Sequence, residues 1–243
     1  MKKKQIYSMV LTALFIAAGI VLSYLNPMIR FGDGGAGMRI SFSSYISVIP
    51  SFLFGPLYGG AAMGIIDVFL AIFKPDGPFL FPLTVTAILG GVLRALFWKI
   101  FKTKKLHFLP FLSAFIVIFL FGLINMLIKD SNFAYSQFIS GFGKKTMFFT
   151  LVPMIIGIVS GAVLIISKTV FPNEKYLNVF AALLPANIII TTLNTAILLL
   201  LVPSLSHLSF TVFFIPRLIE EITSTSIQSC VVSYLLKLTD KLK

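Results

Sequence analysis

Residues 6–25 read IYSMVLTALFIAAGIVLSYL, 20 positions without a charge, directly behind Lys2, Lys3 and Lys4. A helix needs about 20 apolar residues to cross the hydrocarbon core of a bilayer. A secretory signal has a shorter apolar centre, so this run reads as a retained first transmembrane helix. Working outward from it, comparable apolar stretches recur at 40–54, 57–73, 82–101, 107–128, 148–167, 178–202 and 213–236. The second and third are short and meet at Phe54-Gly55-Pro56, where Gly-Pro interrupts any single helix. A turn between two spans is the expected arrangement, giving about eight spans and an all-α integral membrane protein.

Composition agrees. Of the 243 residues, 58% are hydrophobic and 12% charged, and the mean hydropathy is +1.00. Soluble domains carry about 25% charged residues, so lipid must cover much of this surface. The net charge of +12 comes from 20 Lys+Arg against 8 Asp+Glu. The cations sit in short clusters between apolar runs, as orientation signals do, which argues against nucleic acid as a partner. Twelve of the 20 fall on the side of both termini, seven on the other, and Arg94 lies inside a span. That bias places both termini in the cytoplasm of a multi-pass cell-membrane protein.

No catalytic machinery is visible, and the chain reads as a non-enzyme. It has no GxxxxGK[ST], HExxH or GxSxG. His107 and His207 are the only histidines and fall on opposite faces, while Cys230 is the single cysteine. No metal site and no cofactor is expected.

Polar residues inside spans are costly and mark cavities or partners. Asp67 follows Gly60 and Gly64, small residues that let helices approach closely. Asn187, Thr191 and Asn194 recur at i, i+4 and i+7 and share one helix face. Interhelical hydrogen bonding and cavity lining are equal readings of that face. The last span opens Pro216-Arg217-Leu218-Ile219-Glu220-Glu221 and continues with Thr223, Ser224, Thr225, Ser226, Gln228 and Ser229, too polar to face lipid all round. Arg217 can pair along the turn with Glu220 and Glu221 or grip a ligand carboxylate. A carboxylate can in turn accept two N–H bonds from a heteroaromatic edge. Three loops on the outer side, Asn26–Met38, Lys74–Phe81 and Pro203–Ser209, serve as connections or as a lid.

Taken together, four stretches resemble the S components of energy-coupling factor (ECF) vitamin importers, most closely the folate-type group. Ala13-Xaa3-Ala17 looks like the first-helix alanine motif. Arg39-Ile40-Ser41-Phe42 with Phe54-Gly55-Pro56-Leu57-Tyr58-Gly59-Gly60 and Asp67 looks like the second and third helices. Pro75 to Phe79 with Pro82 to Ala87 resembles the loop and the start of the fourth, and Leu193-Asn194-Thr195 with Pro216 to Ile219 resembles the last two.

The resemblance covers roughly 1–102 and 178–243 as a six-helix core in one transmembrane domain, with 103–177 as an inserted helical pair. It implies a high-affinity subunit that captures a vitamin, folate or a related compound, from outside. Delivery would then need a shared T subunit and two ATPases. Arg39, Asp67, Asn194, Arg217 and Glu221 are the expected substrate-binding residues, with Arg39 opening the second helix, and Ala13 and Ala17 are the expected docking residues. The alternative class is a stand-alone secondary carrier for a small organic solute. It would need its own coupling-ion site and often a repeated half, and no convincing repeat relates 1–102 to 107–243.

Overall fold

The computed structural model describes residues 3–25, 29–31, 38–40, 43–73, 79–127, 146–170, 176–203, 205 and 210–240. Its elements in chain order are α1 (Lys3–Leu25), β1 (Ile29–Phe31), β2 (Met38–Ile40), α2 (Ser43–Ser47), α3 (Ile49–Phe54), α4 (Pro56–Phe73) and α5 (Phe81–Phe101). Then follow α6 (Phe108–Leu127), α7 (Thr146–Val170), α8 (Tyr176–Leu201) and α9 (Phe210–Asp240). Within α1, α4, α5 and α8 lie stretches long and apolar enough to cross a membrane. The chain divides into two compact units, residues 1–104 with 175–243, and residues 105–174.

In the first unit the neighbours run α1–α4–α5–α8–α9, and the short helices α2 and α3 touch both α1 and α9. Two devices bend the chain into this arrangement. Pro50 stands in the first turn of α3. Its missing N–H and its ring stop α2 from running on through Val48. Gly55, at φ 92°, then reverses the chain between α3 and α4, a conformation that glycine adopts without a Cβ penalty. The reversal is tight: a Cβ on Gly59 would stand 2.7 Å from the Ser51 Cα. The expected turn at 54–56 is therefore present.

The run 40–54 differs from expectation, because it is not one span. Ile40 ends a small antiparallel hairpin in which Ile29 pairs with Ile40, Arg30 with Arg39 and Phe31 with Met38. Arg39 thus lies in β2 and does not open a helix. Its backbone is extended and stands opposite Arg30 of β1. Strand β2 runs beside α9.

An apolar plug fills one end of this unit. Val48 and Phe52 meet Val179, Ala182 and Leu183 of α8 and Val232 of α9, all buried, with Phe97, Trp98, Phe101 and Leu236 packed around them. The Phe52 and Trp98 rings lie 5.1 Å apart, tilted by 59°, a favourable aromatic geometry. Because these residues come from the C-terminal end of α5, the N-terminal end of α8 and the C-terminal part of α9, the opposite ends of the same helices are free to carry polar groups.

The second unit is the pair α6 and α7, packed face to face. Gly157 sets their approach, since a Cβ there would meet the Phe119 backbone nitrogen at 2.8 Å and the Phe115 carbonyl oxygen at 2.9 Å. Lys168 Nζ sits 4.3 Å from the centre of the Phe108 ring, a cation–π contact.

Candidate functional site

Opposite the plug, α8 presents a polar stripe to its neighbours. Arg217 Nη1 of α9 donates to Thr195 Oγ1 at 3.4 Å, and the same guanidinium lies 5.1 Å from the centre of the Phe213 ring. One turn along α8, Thr191 Oγ1 donates to Glu221 Oε2 at 3.0 Å. Asn194, on the α5 side, pairs through Oδ1 with Thr86 Oγ1. A further turn on, Asn187 Nδ2 donates to Thr225 Oγ1 at 2.9 Å and Gln228 Oε1 at 3.3 Å, while its Oδ1 accepts from Arg94 Nε at 2.8 Å. Gln228 Nε2 reaches the Ser44 carbonyl at 3.0 Å, so α2 is tied to the same stripe. The i, i+4, i+7 face of α8 therefore makes interhelical hydrogen bonds at all three positions.

Three of the five expected binding residues, Asn194, Arg217 and Glu221, come together on this stripe. Arg39 comes in on β2 beside α9. Asp67 stands apart. Its Oδ2 accepts from Thr84 Oγ1 at 2.6 Å. Thr84 and Thr86 are two positions apart on α5, roughly 200° around the helix, so Asp67 lies at the α4–α5 seam and Asn194 at the α5–α8 seam. The outer loop residues 26–28, 32–37, 74–78, 204 and 206–209, His207 among them, lie outside the described residues.

Sequence reasoning left out Arg94. The residue is 9% exposed, bonds Asn187 through Nε, and keeps a buried Nη1 without a hydrogen-bond partner among the described residues. The signal was present: Arg94 is the one Lys or Arg within an otherwise uncharged run, 82–98, and an intramembrane cation is a candidate site residue by default. Magnitudes separate the structural from the functional reading. An interhelical hydrogen bond in a membrane contributes about 0.6 kcal/mol on average, whereas a charged residue mid-span costs about 2.5–3.5 kcal/mol on insertion scales. A single bond to Asn187 does not offset that cost. Part of it is recovered from Glu221, on which the charges of both Arg94 and Arg217 act through space. The buried Nη1 keeps bonding capacity that no described residue takes up.

The arrangement can bind and orient a polar small molecule. Among the described residues no group of three or more His, Cys, Asp or Glu could hold a metal ion.

Comparison with known proteins bears on the same question from the other half of the chain. A family model described as "ECF transporter, substrate-specific component" matches residues 7–140, which is 134 of the 243 residues. The match carries α1 to α6, and with them Asp67, Thr84, Thr86 and Arg94. It also extends into 103–177, the segment set apart above as an insertion. No curated protein and no solved structure matches the chain significantly. Spans, polar stripe and family match agree: the chain belongs to the substrate-specific components of ECF transporters and is a multi-pass membrane subunit that binds a transported substrate, not an enzyme.

Proposed function

We propose that this subunit captures a vitamin, folate or a closely related compound, from outside the cell. It then delivers that vitamin together with a T subunit and two ATPase subunits. The reading rests on one observation: the polar stripe that joins Asn194, Arg217 and Glu221 through Thr86, Thr195 and Thr191, at the end of the helices opposite the apolar plug. Asn194, Arg217 and Glu221 hold the ligand. Arg39 approaches from β2, and Asp67 from the α4 side of α5. Arg217, four positions before Glu221 on α9, receives an anionic tail, for which a guanidinium fork is well shaped. The chain carries no phosphate-cradling loop of its own, so ATP must be hydrolysed by partner subunits.

In this reading 1–102 and 178–243 form the binding core, and 103–177 is an added helical pair. Both termini face the cytoplasm, in keeping with the Lys/Arg bias. A cysteine at position 104 in a Cys230→Ser background should then resist labelling from outside intact cells, and outside labelling would reverse the orientation.

The function is tested by purifying the full chain and identifying the copurifying small molecule by mass spectrometry. Its uptake is then measured in cells with and without the T subunit and ATPases. Binding by the isolated subunit with uptake only in the full set is expected. Uptake without the ATPases would make the chain a stand-alone carrier.

A further inference from the structure

Arg94 and Glu221 carry opposite charges, and α8 holds each in place by one hydrogen bond. Arg94 is tied to Asn187 and Glu221 to Thr191, positions one turn apart. They feel each other's charge, yet among the described residues no direct ion pair joins them. In a low-dielectric span that attraction is strong, yet each group is held by its own anchor on α8 and not by the other. Arg94 is already committed on its Nε side, which leaves the buried Nη1 donors unmet. Gly90 leaves room beside the guanidinium: a Cβ there would stand 3.2 Å from Nη1, closer than ordinary contact.

The charges restrict what fits. A ligand carboxylate at this level would meet Glu221, and a ligand cation would meet Arg94. A neutral edge with an acceptor beside a donor satisfies both and brings no further charge into the span. We infer that Arg94 and Glu221 together read the lactam edge of a heterocycle. The ring carbonyl accepts from the Arg94 guanidinium and the adjacent ring N–H donates to the Glu221 carboxylate. Arg94 is thereby a substrate-binding residue, and the substrate class is a cyclic-amide heterocycle. The inference rests on the reading that a small molecule binds among α5, α8 and α9.

The test is calorimetric titration of the full chain in lipid nanodiscs with three matched pairs: pterin and 2,4-diaminopteridine, hypoxanthine and adenine, 4(3H)-pyrimidinone and 4-aminopyrimidine. Within each pair the second member replaces the carbonyl and N–H edge by an amino group and a bare ring nitrogen. In at least one pair the carbonyl member should bind tenfold or more tightly than its partner. Arg94→Met and Glu221→Gln should each weaken that member by about tenfold to hundredfold, and the preference over the amino partner should collapse. Arg94→Lys, which keeps the charge and loses the fork, should recover part of the affinity. Should Arg94→Met fail to fold, Glu221→Gln decides alone, because it preserves size and can still accept from Thr191.

Failure of every carbonyl member to bind would overturn the inference, as would binding without preference or a preference that survives both variants. A copurifying ligand without a lactam edge would overturn it too, while leaving the substrate-binding reading intact. Absence of any copurifying small molecule and of any uptake with the ATPases would remove that reading as well.

Discussion

Gly91 of α5 lies directly against the backbone of Gly59 of α4: a Cβ on Gly91 would stand 2.3 Å from the Gly59 carbonyl oxygen and 2.8 Å from the Gly60 amide nitrogen. Backbone cannot move aside as a side-chain tip can, so even one methyl group must push the two helices apart. Overpacking of this kind costs about 1–3 kcal/mol. Gly91→Ala should therefore lower the thermal midpoint of the purified subunit. A Cβ on Gly64 meets only the flexible side chain of Ile88, so Gly64→Ala should cost less. Equal midpoints for the two variants would show that the crossing is looser than this contact implies.

The order of those two effects could not be read from the sequence, although Gly60 and Gly64 were visible there as small-residue spacing. A bilayer dictates apolar length, and so the helices at 6–25, 57–73, 82–101 and 178–202 were legible within a few residues. The β1–β2 hairpin was not, because three-residue strands are too short to show an alternation of polar and apolar positions. Pro50 did mark the break between α2 and α3, but the surrounding apolar run hid it. Arg94 was conspicuous as a lone cation. Its partner Asn187 lies 93 positions away, and no local pattern pairs residues at that distance. The α8 face was legible as a face. Which neighbour each of its positions meets is a matter of packing.

Arg217 and Asn194 differ in how much a ligand should depend on them. Arg217 offers a charged fork held by Thr195 and by the Phe213 ring. Asn194 is neutral and already engaged with Thr86. Removing a charge-assisted hydrogen bond costs about 1.5–3 kcal/mol and a neutral one about 0.5–1.5. Arg217→Ala should weaken binding of the copurifying compound by about tenfold to hundredfold, with Asn194→Ala losing less and both variants keeping their fold. Unchanged affinity in both, measured by calorimetry, would make these residues structural.

Asn178 closes the foot of α5. Its Nδ2 donates to the carbonyl oxygens of Phe101 and of Lys104, the latter at 2.7 Å, beside the backbone bond from Lys104 N–H to the Phe101 carbonyl at 3.0 Å. This contact also ties residue 104, where the chain leaves the first unit, to residue 178, just after it returns. A short linker replacing 105–174 should accordingly leave the first unit folded, with ligand affinity within a few-fold of the intact chain. Asn178→Ala should destabilise the shortened protein by about 1 kcal/mol. A shortened protein that remains monodisperse and helical by circular dichroism yet binds nothing would show that 105–174 helps to build the site.

Helix α1 has two unlike faces, and the difference carries the last prediction. Ser8, Thr12, Gly19 and Ser23 are buried, and a Cβ on Gly19 would meet Ser47 Oγ at 2.8 Å and Ile66 Cδ1 at 3.2 Å. That face is fixed against α2 and α4. Val10, Ala13, Leu14, Ala17 and Val21 are exposed and recur at helical spacing along the other side. Alanines on such a stripe leave a shallow groove into which a second helix can settle. If the T subunit docks there, Ala13→Trp with Ala17→Trp should abolish uptake by steric exclusion. The isolated variant should still bind its ligand, because neither position touches the buried face. Uptake at the wild-type rate would move the docking surface elsewhere. Loss of ligand binding together with uptake would mean that the two alanines support this chain's own packing.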